Sequence, residues 1–263
     1  MDYEISGNAA LVTASSSGLG EASATALVRE GVNVVVNGRD EDRLAAAVER
    51  IDAAGDGAAV GHAADITDPD AGAALVEATV DEFGGLDHLV TSAGGPPSGP
   101  FLDTTDEDWY AAYDLLVMSV VRTVRAAADP LRADGGGTFV AVASRSVKEA
   151  IDSLVLSNAV RMAVIGLTKT LSRELAPEVR TNAVLPGPHE TSRIERLIEQ
   201  GVERGDYASY EAGLAARGES NPLNRIGDPM ELGNTVAFLS SPASGYVNGT
   251  AIPVEGGLGR ANL

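Results

Sequence analysis

Four polar side chains in one part of the chain have the types and the spacing of a reactive centre. Ser157 and Arg161 are four residues apart in a helical pattern and therefore share one helix face. Lys148 follows Ser144 by four residues. A guanidinium stays protonated and can stabilise an anion, whereas an ammonium can donate a proton when its pKa is lowered, or bind a carboxylate. The alternatives are a solvated loop lysine beside Glu149 and an ordinary polar helix face.

A glycine-containing turn near the start of the chain has the features of a phosphate-binding loop. It reads Thr-Ala-Ser-Ser-Ser-Gly-Leu-Gly over residues 13–20, between a predicted strand and a predicted helix. Glycines let the backbone approach a pyrophosphate, and the free N–H groups at a helix start favour its charge. We therefore expect a dinucleotide to contact this turn, at Thr13, Ser15, Ser17, Gly18, Leu19 and Gly20.

The end of the second predicted strand indicates which dinucleotide binds. An NAD site places an acidic residue there to accept the ribose 2′-OH. Gly38 cannot do so, whereas Arg39 can pair with a 2′-phosphate. The neighbouring Asp40 is better explained as the cap of the next helix. NADP is therefore favoured over NAD.

Short apolar runs alternate with longer amphipathic stretches, which predicts repeated βα units. We expect a single α/β domain over residues 1–263, of the Rossmann type, with a doubly wound, mostly parallel seven-stranded sheet and helices on both faces. The predicted strands are 9–13, 32–36, 58–61, 86–91, 137–143, 180–185 and 250–254. The predicted helices are 18–30, 40–54, 69–83, 105–128 and 152–176.

Residues 188–227 depart from this rhythm, because they are polar, glycine-containing and only weakly helical. An insertion of this length after a strand is typical of a lid or binding loop, and a disordered surface loop is the alternative. His189 at its start can act as an acid or base near neutral pH. Tyr207 or Tyr210 can bring a phenol over a site when a lid closes.

Composition narrows the classes of function. The net charge is −19, and only Lys148 and Lys169 are lysines. Such a surface repels nucleic acids and anionic lipids, so we expect neither as a partner. It is typical of a soluble acidic enzyme or, more specifically, of a halophilic protein adapted to high salt. Because there is no cysteine, no apolar run of bilayer length and no signal-like start, we expect a cytoplasmic protein without disulfides, thiolate metal sites or membrane spans.

In their order, these motifs resemble those of the short-chain dehydrogenase/reductase family over residues 7–257. Ala14 stands where the family's turn usually has its first glycine. Further motifs follow the fourth and sixth strands, with Ser-Ala-Gly in place of Asn-Asn-Ala-Gly in the first of them. The resemblance implies that the adenine lies beside Asp65 and that the cofactor contacts Ile66, Ser92, Ala93, Gly94, Pro186 and Gly187.

The family's catalytic positions are largely replaced. Ser144 matches the serine that hydrogen-bonds the substrate carbonyl, but Ser157 stands at the tyrosine, Arg161 at the lysine and Leu116 at the asparagine. A serine hydroxyl is a weaker acid than a phenol and is shorter by a ring. We therefore take Ser144, Ser157 and Arg161 as catalytic candidates, with Lys148 as the replacement proton donor.

The resemblance implies an NADP(H)-dependent oxidoreductase that interconverts a small-molecule carbonyl and an alcohol through an atypical proton-donor arrangement. It also implies a homotetramer or homodimer, with residues 246–249 and 256–257 near a subunit contact. Two alternatives remain open: an enzyme of this fold with an altered, non-redox reaction, and a non-catalytic sensor that binds NADP without turnover.

Overall fold

Seven strands form one parallel sheet in a computed structural model that describes residues 2–133 and 135–262. The strand order is β3-β2-β1-β4-β5-β6-β7, and every neighbouring pair is parallel. The doubly wound α/β prediction is therefore confirmed. The strands are β1 (Ala9–Val12), β2 (Asn33–Gly38), β3 (Ala59–Ala63), β4 (His88–Thr91), β5 (Gly137–Val142), β6 (Val179–Pro186) and β7 (Ala251–Val254).

Helices cover both faces of this sheet. One layer contains α1 (Gly18–Arg29), α2 (Glu41–Asp52) and α9 (Pro229–Ser240), and the other contains α3 (Ala71–Phe83), α4 (Asp106–Tyr113), α5 (Ser119–Ala127) and α6 (Val155–Glu174). Two further helices, α7 (Ser192–Glu203) and α8 (Tyr210–Gly218), follow β6. Within the described residues, none of these helices combines the length and apolar character of a membrane span.

The strands are apolar on both sides, so each sheet face buries its own core. On β1, Ala10 and Val12 pack into the core below α1 and α9, whereas Leu11 points into the opposite core with Leu89 and Phe139. This double burial explains why the apolar runs in the sequence are continuous and not alternating. The packing on both faces also holds the carboxyl ends of the strands in place, and the cleft described below lies there.

Three parts of the chain differ in detail from the prediction. The expected helix at 105–128 is interrupted by a π-helical segment, Asp114–Met118, between α4 and α5. The insertion at 188–227 forms α7 and α8 rather than an irregular loop. Helix α9 was not predicted, although Asp228 and Glu231 form a capping box at its start and Pro229 occupies its first position, both of which are typical of a helix N-terminus.

Candidate functional site

A cleft of about 1210 Å³ runs along the carboxyl ends of the strands. It lies where the sheet reverses direction, because the chain crosses from β1 to β2 on one side and from β3 back to β4 on the other. Pockets for single small ligands usually measure about 300–1,000 Å³, so the cleft has room for a dinucleotide and a substrate together.

The turn between β1 and α1 forms one wall of this cleft. Ser17, Leu19 and Gly20 line it, and Ser17 is the N-cap residue of α1 but makes no side-chain cap. The first N–H groups of the helix are therefore left without a side-chain acceptor, as a phosphate site requires. Gly18 has a φ of +61° and faces an adjoining cavity of about 630 Å³.

Two of the predicted turn residues are committed to the fold and do not line the cleft. The Thr13 hydroxyl donates to the Ser92 carbonyl (2.8 Å) and accepts the Ser92 N–H (2.9 Å), which joins the ends of β1 and β4. The Ser15 hydroxyl donates to the Val12 carbonyl (2.6 Å) and accepts the Asn37 N–H (2.9 Å). Both hydroxyls thus hold the turn in place and do not face a ligand.

Ala14 adopts a left-handed backbone with a φ of +47°. This conformation suits glycine and costs other residues about 1–2 kcal/mol. Its N–H donates to the Asn37 side-chain carbonyl at 3.0 Å, which holds the turn in this shape. Replacing the usual glycine with alanine therefore introduces backbone strain at the cofactor turn.

The end of β2 has no space for a side chain at Gly38. A Cβ atom there would lie 2.7 Å from the Ser16 hydroxyl. Arg39 is exposed and forms a 3.4 Å ion pair with Asp65, and both residues line the cleft. Hydrogen bonds from Thr67, together with Arg39, lower the pKa of Asp65 despite its partial burial. Thus Arg39 supplies a cation at this end of the cleft, and position 38, where an NAD site would have a carboxylate, is a glycine.

Arg43 also lines the cleft, although sequence reasoning missed it. It lies in the first turn of α2, where its N–H donates to the capping carboxylate of Asp40 at 2.8 Å. The available signal was the cap at Asp40, because it places Arg43 in the first turn of the helix that follows β2. The other resemblance-derived positions all line the same cleft: Ile66, Ser92, Ala93, Gly94, Pro186 and Gly187.

Ser144 and Ser157 reach the cleft from opposite sides of a buried residue, Ser146. The Ser146 N–H donates to the Ser144 oxygen at 3.1 Å, and the Ser146 and Ser157 hydroxyl oxygens are 3.2 Å apart. Ser144 precedes a short 3₁₀ turn, Arg145–Val147, which positions Ser146 against α6. Sequence reasoning missed Ser146, since its spacing marks no motif.

Arg161 is a buried cation, with only 9% of its surface exposed. Its guanidinium donates to the carbonyls of Ala143 (3.2 Å) and Gly94 (3.3 Å), and its Nε–H has no partner. No carboxylate among the described residues forms an ion pair with it. Burial lowers the pKa of Arg161 to about 10, which leaves it charged at neutral pH.

Lys148, expected as the replacement proton donor, does not line this cleft. Its side chain is exposed to solvent and is not among the lining residues. The 3₁₀ turn directs Arg145 toward the cleft instead, and Arg145 pairs with Glu149 at 3.7 Å. Because the turn's geometry is not marked by its sequence, a four-residue spacing from Ser144 did not identify the inward-facing cation.

The candidates in the 188–227 insertion differ from one another. His189 lines the cleft and is buried, and desolvation lowers its pKa. Tyr210 does not line it, because its hydroxyl donates to Glu190 at 2.7 Å, and burial and that carboxylate raise its pKa to about 12. Tyr207 packs between Gly201 and Gly213. Neither phenol therefore faces the candidate site.

Known proteins match both the chain and its fold. A family model described as enoyl-(acyl carrier protein) reductase matches residues 13–259. The uncharacterized oxidoreductase YvrD of Bacillus subtilis is 32% identical, over 99% of this chain and 100% of its own length. The chain belongs to the short-chain dehydrogenase/reductase family.

Two solved structures of short-chain dehydrogenases/reductases bear on the site. L-sorbose reductase of Gluconobacter frateurii, complexed with NADPH and L-sorbose, is 31% identical, with a TM-score of 0.93 over 99% of this chain and 100% of that one. A short-chain oxidoreductase of Pseudomonas aeruginosa, described as containing an atypical catalytic center, is 32% identical, with a TM-score of 0.90 over 98% of this chain and 100% of that one.

In this short-chain dehydrogenase/reductase, Leu116 lies in the π-helical segment and is buried. Its neighbour Leu115 lines the cleft. An apolar side chain at either position offers no hydrogen bond to a water molecule. The polar side chains Ser144, Ser157 and His189 of the cleft therefore come from the segment after β5, from α6 and from the insertion after β6.

Proposed function

We propose that this protein is an NADP(H)-dependent oxidoreductase that interconverts a carbonyl compound and an alcohol through an atypical centre of Ser144, Ser157 and Arg161. The observation that carries the proposal is that these three side chains and the glycine turn line one cleft. The NADPH complex of L-sorbose reductase, a relative that covers nearly the whole chain, supports both the cofactor and the reaction class.

The residues of the cleft fit NADP. Leu19 and Gly20, in the first turn of α1, would hold the pyrophosphate. Arg39 and Arg43 would pair with the 2′-phosphate, with Arg39 exchanging its exposed contact to Asp65 for it. When bound, NADPH supplies a hydride to the carbonyl carbon.

Ser144 and Arg161 would stabilise the charge that develops on the substrate oxygen. Because the Ser144 oxygen already accepts the Ser146 N–H, its own hydrogen is left to donate to the carbonyl. The buried charge of Arg161 acts in a low-dielectric site, where preorganised cations stabilise a developing oxyanion strongly.

The Ser157 hydroxyl would donate the proton that completes the alcohol and recover one from water. Ser157 lies on the same face of α6 as Arg161, so the guanidinium charge favours the transient loss of that proton. A serine is a weaker acid than a phenol, and a positioned general acid contributes about 10²–10⁴-fold. We therefore expect slower turnover than a phenolic donor would give.

The test measures NADPH binding by calorimetry and hydride transfer to a panel of carbonyl compounds by NADPH absorbance. Arg161→Gln should lower kcat/KM at least about 100-fold, as removal of an oxyanion-stabilising group does. Arg173→Gln is the matched control, because Arg173 is an exposed arginine on the same helix. Binding without hydride transfer to any substrate would contradict the proposal and favour a sensor. Absence of binding would favour a non-redox reaction.

We also propose that the net charge of −19 is an adaptation to high salt in a cytoplasmic protein. Added KCl should raise the melting temperature by screening carboxylate repulsion, and salt-independent melting would contradict this.

We propose a homo-oligomer as well, since Tyr246 is fully exposed in the single chain and lies in the segment expected at a subunit contact. Light scattering measures the assembly directly.

A further inference from the structure

Arg161 carries a positive charge that no acidic side chain of the described residues balances. It is 9% exposed, and its guanidinium donates to the backbone carbonyls of Ala143 at 3.2 Å and Gly94 at 3.3 Å. Carbonyl dipoles solvate a cation but do not cancel its unit charge. Within the described part of the chain, no carboxylate lies at ion-pair distance from this guanidinium. Its pKa of about 10 therefore leaves an uncompensated buried charge at neutral pH.

The other charged side chains of the cleft do not balance Arg161 either. Among the described lining residues the carboxylates are Asp40 and Asp65, which follow β2 and β3 at the end proposed for the 2′-phosphate. Arg145 lines the cleft and follows Ser144 in the chain, but Glu149 pairs with it at 3.7 Å. Exposed carboxylates farther away are screened over about 8 Å at physiological salt. The field of Arg161 therefore makes its part of the cleft positive.

A fixed positive charge matters here because the nicotinamide ring changes its own charge when it reacts. The ring is neutral in NADPH and carries a positive charge in NADP⁺. In the proposed function the ring must lie beside the carbonyl that Ser144 binds, since reacting atoms approach to about 3–3.5 Å. The guanidinium of Arg161 contacts Ala143, the residue before Ser144. The oxidised ring would therefore share a poorly solvated region with a second cation.

We propose that Arg161 makes the cleft select the reduced cofactor over the oxidised one, so that the protein is a reductase that NADP⁺ inhibits only weakly. This inference rests on the proposed function, from which it takes the cofactor and the place of the ring. Hydride transfer moves a hydrogen with two electrons to the carbonyl carbon, which leaves a positive ring and a negative oxygen that offset each other beside Arg161. Once that oxygen takes up a proton, the neutral alcohol no longer offsets the ring, and repulsion from Arg161 favours the release of NADP⁺.

The experiment measures the dissociation constants of NADPH and NADP⁺ by calorimetry. The adenosine and phosphate contacts are common to both forms, so they cancel in the ratio of the two constants. Two like charges within about 10 Å of each other, at an effective dielectric constant near 20, repel strongly enough to change an affinity about tenfold. We therefore expect NADPH to bind at least about tenfold more tightly than NADP⁺.

Substitution of Arg161 assigns this ratio to its charge. Arg161→Gln removes the charge and should bring the two affinities close to each other, whereas Arg161→Lys keeps a cation and should retain most of the difference. Arg173→Gln, at an exposed position of the same helix, is the control and should leave the ratio as it is in the native protein. The ratio should also persist in added KCl, because a buried charge is screened much less than a surface charge.

The outcomes distinguish this inference from the proposed function. Equal affinities in the native protein, or a ratio that Arg161→Gln leaves unchanged, would overturn selection by Arg161 and leave the oxidoreductase in place. Binding of neither nucleotide would overturn the proposed function and this inference with it. If Arg161→Gln does not fold, the native protein is compared with 2′-phospho-ADP-ribose, which lacks the ring. NADP⁺ binding more tightly than this fragment would show that the oxidised ring is not repelled and would overturn the inference.

Discussion

The hydroxyl oxygens of Ser146 and Ser157 lie 3.2 Å apart, and the N–H of the same Ser146 donates to Ser144 at 3.1 Å. One buried residue thus contacts both serines of the candidate centre. Because Ser146 is only 4% exposed, its side chain is held by packing and can fix the orientation of Ser157. In the proposed mechanism Ser157 would donate the proton and Ser146 would position it, and substitution can separate these two roles.

Ser157→Ala should lower kcat for carbonyl reduction about 100-fold while leaving NADPH affinity unchanged, because it removes the proposed proton donor and no cofactor contact. Stopped-flow measurement of NADPH oxidation reports the loss. Ser172→Ala is a matched control on the same helix, since that hydroxyl donates to the Lys169 carbonyl away from the cleft. Equal effects of the two substitutions would rule out Ser157 as the donor.

Ser146→Ala should lower kcat less, by about tenfold, since it removes one hydrogen bond that orients the donor. A positioning role also predicts a small effect on KM for the carbonyl compound, together with a pH profile of kcat that changes relative to the native enzyme. An unchanged profile with an unchanged kcat would show that Ser157 needs no such support.

Ala14→Gly should stabilise the native protein by about 1 kcal/mol, because glycine adopts a φ of +47° without strain. In a chain of this size, the melting temperature should rise by about 2–4 °C. Ala45→Gly makes the same change in the exposed interior of α2, where it should lower stability by about 1 kcal/mol. If Ala14→Gly lowers the stability as Ala45→Gly does, the backbone at Ala14 is not strained.

Gly38→Asp, made together with Ser16→Gly to remove the 2.7 Å conflict, should shift the cofactor preference from NADPH to NADH. The new carboxylate repels the 2′-phosphate and accepts the ribose hydroxyl of NAD. The ratio of kcat/KM with NADPH to kcat/KM with NADH should decrease at least about tenfold, the effect expected from losing one charge-assisted hydrogen bond. Ser16→Gly alone is the control, and an unchanged preference in the double variant would count against this placement of the ribose.

The fold was predictable because its signals are local. The continuous apolar β1 and β2, the stop at Gly31 and the cap at Asp40 each mark one element, and βα alternation then leaves few topologies. The π-helical segment was not predictable, because residues 114–118 carry no proline or glycine to mark a change of helix type. Helix α9 begins with a capping box at Asp228 and Glu231, which is a local signal of the same kind as the cap at Asp40.

The site was predictable where helix periodicity or the family resemblance marks its residues; the resemblance identified loop residues such as Ser92 and Gly187, which line the cleft. Ser157 and Arg161 line the cleft because helix periodicity fixes their common face. Lys148 does not line the cleft and Arg145 does, because the 3₁₀ turn, and not the spacing from Ser144, decides which residue points inward. Arg217 of α8 also lines the cleft, and the sequence did not predict this because the packing of α8 is a tertiary relation that no local pattern encodes.

We expect His88 to make the stability of the protein depend on pH. Its ring is 3% exposed, and the amide nitrogen of Asn8 lies 3.0 Å from Nε2. Since an amide nitrogen only donates, Nε2 accepts, and Nδ1 donates to the Thr138 hydroxyl at 2.9 Å. Both ring nitrogens are satisfied in the neutral form, and protonation would set one donor against another.

Desolvation, with a smaller contribution from Arg180, lowers the pKa of His88 from 6.5 to about 3. Between these values the unfolded chain binds a proton that the native protein does not, so stability should be complete above pH 6.5 and fall as the pH decreases toward 3. The slope approaches about 1.4 kcal/mol per pH unit. At fixed salt, the urea midpoint should therefore decrease as the pH is lowered from neutral to mildly acidic, before most carboxylates titrate.

His88→Gln should flatten this dependence, whereas His62→Gln, at the partly exposed edge strand β3, should preserve it. An identical slope in His88→Gln would assign the pH dependence to other groups.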